Sequence, residues 1–62
     1  MNHLDKVIHA EYRRLTHRLT PMGAVTRLAE AYQLHRRRII KILGADTVGE
    51  DLWNDYRMDS YK

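Results

Sequence analysis

An all-α bundle of three to four short helices is the fold class this 62-residue chain predicts. Apolar residues recur at helical spacing in successive segments, and Thr20-Pro21 and Gly44 read as start and stop signals between them. No segment alternates apolar and polar residues as a half-buried strand would. One domain over residues 1–57 is what the length supports, close to the lower limit for an unstapled apolar core, with 58–62 expected as a frayed tail.

The first helix is expected over about residues 3–19. Asn2 is its candidate N-cap, and Asp5 sits favourably near the positive end of the helix dipole. Leu4, Val7, Ile8, Tyr12, Leu15 and Leu19 form its apolar stripe, while Lys6, Glu11, Arg13 and His17 mark a solvated side. Thr20 caps well and Pro21 fits the first helical position, where a missing N–H costs nothing. A second helix over 21–32 therefore follows, turning Val25, Leu28, Ala29 and Tyr32 to one side, with Gly23 moving its regular part towards Ala24. After a break at Gln33, Leu34 and His35, a third helix spans 36–43. Gly44 ends it, as the residue best able to turn left-handed. A fourth helix over about 48–56 places Val48, Leu52 and Tyr56 on one side with Trp53 beside them.

Composition narrows the function classes. With no cysteine, disulfide staples and cysteine-rich zinc sites are excluded, which suits the cytoplasm. No apolar run approaches the ~20 residues of a membrane span, and the N-terminus lacks the regions of a signal peptide, so no membrane partner is expected. His3, His9 and His17 lie six and eight residues apart, not at the i, i+4 spacing that lets two imidazoles share an ion; they read as surface residues, and no metal is expected. Nucleophile, base and orienting group cannot be placed together, which predicts neither an enzyme nor a cofactor.

Charge is the informative quantity. Residues 1–44 carry nine Lys and Arg against three acids, whereas residues 45–62 carry two against five. A basic body with an acidic tail favours a polyanionic partner for the body. Its densest part is Arg36-Arg37-Arg38, set directly against Ile39, Ile40, Ile42 and Leu43. At about 100° per residue, Ile39, Ile42 and Leu43 are expected inward, and the opposite side is centred on Arg37 and Lys41 with Arg36 and Arg38 flanking it. Ile40 is then left on a basic outer face.

One spacing is more specific. Leu28-Ala29 is followed by Leu34, five residues after the alanine, and by Ile39 and Ile42, ten and thirteen after it. In this, residues 25–43 resemble the helix-turn-helix of DNA-binding proteins, as found in small phage- and plasmid-type bacterial transcriptional regulators. The resemblance implies an orthogonal bundle, with Ala29 where the two backbones approach, Leu34 as an apolar wedge in the turn, and 36–43 as the recognition helix. Two positions depart from the family pattern. Gln33 stands where glycine is common, at a cost of about 1–2 kcal/mol for a left-handed residue with a side chain. His35 and Arg36 stand where serine or threonine often caps, which predicts a recognition helix lacking a side-chain cap.

The resemblance implies sequence-specific binding of double-stranded DNA, with transcriptional regulation, for instance repression, by a homodimer. Arg36, Arg37, Arg38 and Lys41 are the expected readers, because arginine addresses guanine in a bidentate fashion, and Ile40 would either meet a thymine methyl group or be covered by the acidic tail segment or a dimer partner. Gln33 and His35 lie at the entry to that helix, with Gln33 in reach of phosphate or adenine. His17, Arg18 and Arg27 are the expected backbone clamp. The alternative is a small helical inhibitor or adaptor, phage-encoded for example, that grips a protein through the same scaffold and its acidic tail, Glu50, Asp51, Trp53 and Asp55.

Overall fold

The computed structural model describes the backbone of residues 3–60 and the side chains of residues 3–55. Five helices follow one another with no strand among the described residues: α1 (His3–Leu15), α2 (Pro21–Tyr32), α3 (Arg36–Leu43), α4 (Ala45–Val48) and α5 (Glu50–Ser60). The candidate cap Asn2 lies outside the described residues.

α1 stops four residues short of the expected Leu19. Thr16 accounts for the stop: its hydroxyl donates to the carbonyls of Tyr12 and Arg13 at 3.0 and 3.1 Å. The backbone N–H groups of His17 and Arg18 then bond three residues back rather than four, tightening the end of the helix into a turn. At Thr20 the expected cap is present. Its Oγ1 accepts from the Gly23 N–H at 3.1 Å, and Pro21 follows in the first turn. Gly23 does not delay α2, which starts at Pro21; a Cβ there would approach the capping oxygen to 3.2 Å, so the glycine leaves room for the cap.

Glycine divides the C-terminal third. Gly44 and Gly49 have φ of 84° and 95° with ψ near 160°, outside the left-handed helical region expected of Gly44 and in a region that only glycine occupies freely. Gly49 therefore interrupts the single helix expected over 48–56, leaving one turn, α4, before it and α5 after it. α5 continues beyond Tyr56 through Met58 to Ser60, while 61–62 of the expected tail lie outside the described residues.

The core draws on every helix: Ile8 and Tyr12 from α1, Ala24, Val25, Leu28 and Ala29 from α2, Ile39, Ile40 and Leu43 from α3, Val48 from α4 and Leu52 from α5. Leu15, Tyr32, Leu34, Ile42 and Trp53 are half-buried against it. Of the apolar stripe expected on α1, Leu4 is exposed at 42%. α3 is the central element and packs against α1, α2, α4 and α5. No described helix is long and apolar enough to cross a membrane.

Candidate nucleic-acid interface

α3 holds the residues on which the sequence places most weight, and its orientation differs from the expected one. Ile39, Ile40 and Leu43 are buried, whereas Ile42 is only half-buried. Exchanging Ile42 for Ile40 on the inner face rotates the helix by about 50° at 3.6 residues per turn. The cause is the C-terminal segment. α4 and α5 pack on α3, and Val48 and Leu52 join the cluster that encloses Ile40, leaving it 4% exposed. Ile40 is therefore a core residue and not a contact for a thymine methyl.

The rotation redraws the outer face. Arg36, Arg38 and Lys41 are exposed, and Arg37, expected at the centre, is half-buried at its edge. His35, Arg37, Arg38 and Lys41 line one shallow groove with no carboxylate among the described residues of its wall. A neighbouring groove against α1 is lined by Leu4, Asp5, Leu34, Arg38, Lys41 and Ile42. Arg38 and Lys41 are common to both, so the aliphatic groups beside the cations are Leu4, Leu34 and Ile42, with Asp5 the acid in the same wall.

Two turn residues organise the start of α3. Gln33 is left-handed, with φ 55° and ψ 44°, and its N–H donates to the Ala29 and Glu30 carbonyls that end α2. Its side chain is exposed. His35 corrects the expectation of an uncapped helix: its Nδ1 accepts from the Arg37 N–H at 3.1 Å. A neutral imidazole that accepts at Nδ1 carries its proton at Nε2, which leaves an N–H donor on an exposed residue that lines the groove.

The residues expected to clamp the backbone meet elsewhere. His17 and Arg18 from the turn after α1 and Arg27 from α2 line a separate open concavity of about 570 Å³. Glu11, Arg14, Leu15 and Leu19 complete its wall. Nothing in the motif spacing singles out Arg14, although Glu11, Arg14 and Arg18 recur at i, i+3, i+7, a helical stripe that charge alone could have flagged. Gln33 and Arg36 line neither this concavity nor the grooves along α3.

His9, expected at the surface, is half-buried and structural. Its Nε2 lies 3.1 Å from the Ile42 carbonyl, one of the four at the end of α3 that the helix itself leaves without a partner, so α1 caps α3 through a side chain. Tyr12 beside it in the core has its phenol pushed above the usual value of 10.0 by burial. Among the described residues, no three histidines or acids are grouped so as to hold a metal ion. No family model, curated protein or solved structure matches the chain.

Proposed function

We propose that this chain binds double-stranded DNA in a sequence-specific manner through a helix-turn-helix formed by α2 and α3, as a non-enzymatic transcriptional regulator. The observation that carries the reading is α3 itself. An eight-residue helix is anchored by three buried aliphatic residues while Arg36, Arg38 and Lys41 stand outward, Arg38 and Lys41 lining one groove with no acid among its described residues and a second one that Asp5 also lines. Fold stability does not call for that concentration of like charge, whereas a phosphate-lined groove does. Base edges fall to Arg38 and Lys41, with Leu34 and Ile42 as apolar neighbours, and the His35 Nε2–H serves a phosphate or base acceptor.

The longest dimension of the described chain is 29 Å, below the ~34–36 Å that separates successive half-sites on one side of a duplex. One copy therefore covers one half-site, and a homodimer joined through α1 or the α4–α5 segment reads a two-fold-related pair. Selection of duplexes from a random pool tests all of this together. The expected product is an inverted repeat whose binding weakens linearly in log salt, by about 0.9 per phosphate neutralised. Failure to bind any duplex at low salt would dismiss the reading.

One observation favours the alternative, a protein-binding inhibitor or adaptor. Met22, 37% exposed, lines a groove with Val48 and Leu52 whose rim carries Glu50 and Asp51. An apolar floor with an acidic rim fits a basic amphipathic helix of a partner, and binding indifferent to DNA is the outcome that would select this reading.

A further inference from the structure

The concavity between the end of α1 and α2 draws cations from three parts of the chain: Arg14 from the last turn of α1, His17 and Arg18 from the turn that follows, and Arg27 from α2. Glu11 is the sole acid in its wall among the described residues. Arg18 and Arg27 are exposed, and bringing like charges around one hollow costs free energy, so burial in the core does not account for the arrangement. None of the residues in this wall lines the grooves along α3.

We infer that this concavity is a second anion site, which takes phosphodiester oxygens of the duplex with Arg14, Arg18 and Arg27 as ligands and Glu11 limiting its affinity. The inference rests on the DNA reading above. Guanidinium groups suit the role because their planar fork donates two parallel hydrogen bonds to a phosphate. Arg14 is already drawn to the site by Glu11, whose Oε1 accepts from Nη1 at 3.4 Å. That pair is exposed and weak, and it leaves most of the five guanidinium N–H donors for a phosphate. Backbone affinity and sequence preference are thereby carried by different surfaces.

Arg13 and Arg14 offer a charge-matched test. Both are exposed on α1, adjacent in sequence, and only Arg14 lines the concavity. The full chain carrying Arg14→Gln, compared with Arg13→Gln, is titrated with the preferred duplex and an unrelated one over a range of salt. Arg14→Gln is expected to weaken both duplexes by the same factor and to flatten the log-affinity against log-salt slope by about 0.9 more than Arg13→Gln does. Conversely, Glu11→Gln strengthens both duplexes more than Glu30→Gln, an equal charge change outside the concavity. Equal responses from the Arg13 and Arg14 variants, or a changed preference between the two duplexes, would overturn the inference. If the unmodified chain binds neither duplex, the DNA reading itself fails, a result distinct from a binding chain with an inert Arg14.

Discussion

Gln33 is, among the described residues, the non-glycine residue with a positive φ, at 55°. The chain accepts a left-handed residue with a side chain there because that geometry turns the Leu34 N–H back to the Ala29 carbonyl at 2.9 Å, beside the Gln33 N–H bond to the Glu30 carbonyl, and sends the backbone on towards His35. The conformation costs free energy that glycine would not incur, offset in part by glycine's greater freedom when unfolded. Gln33→Gly is accordingly expected to stabilise the protein by roughly 0.5–1 kcal/mol, seen as a higher urea midpoint. A lower midpoint would show that the glutamine side chain makes a contact worth more than the strain. Tyr12 gives a pH dependence at the same scale. Its phenol ionises above the usual 10.0 in the fold because it is desolvated, so its contribution is complete below about pH 10 and is lost as pH climbs through the raised folded value. Tyr12→Phe keeps the ring and removes the ionisation. Between about pH 8 and pH 11, its urea midpoint should fall less than that of the parent chain; an identical fall would assign the alkaline loss to other groups.

At the scale of the helices, the start of α2 and the end of α3 follow from local chemistry, because Thr20 caps with its own hydroxyl, Pro21 fits the first turn and Gly44 takes a positive φ. The rotation of α3 does not. Ile40 and Ile42 are the same residue type two positions apart, and which one faces inward depends on what lies beside the helix. Here α4 and α5 pack on α3, and Ile40 is buried in one cluster with Val48 and Leu52 while Ile42 is left half-buried against it. The two roles separate experimentally. Ile40→Val should cost about 0.5–1.5 kcal/mol of stability while leaving the preference among duplexes unchanged in the folded fraction, whereas Lys41→Ala should weaken DNA binding with little change in unfolding. A shift of preferred sequence in the Ile40 variant would return that residue to the interface. Legibility divides along the same line: Arg36, Arg38 and Lys41 are recognisable from charge and position, and Arg14 from its stripe with Glu11 and Arg18, while His9 as the cap of α3 and the meeting of Arg14 with Arg27 depend on partners 33 and 13 residues away in the chain.

For the molecule as a whole, the acidic C-terminal segment is part of the core. Val48 and Leu52 are 6% and 8% exposed within the cluster that holds Ile8 and Val25, so α4 and α5 are bound to the basic body by apolar burial. A chain of this size has little stability to spare. Leu52→Ala should therefore cost on the order of 2–5 kcal/mol and move the unfolding transitions followed by helical circular dichroism and by Trp53 fluorescence together. Separate transitions would mean that the segment folds independently of the body. The approximate placing of α1, α2 and α3, the turn at Gln33–His35 and the basic character of residues 1–44 are written locally, in spacing, capping residues and charge, and can be read without coordinates, whereas five helices stand among the described residues where three to four are expected because Gly49 divides the last. The face that α3 presents, the division of its cations from those of the corner concavity, and the fate of Ile40 are not local quantities. They follow from which apolar surfaces meet when five short helices close on one another, and a linear pattern of residue types carries no record of that meeting.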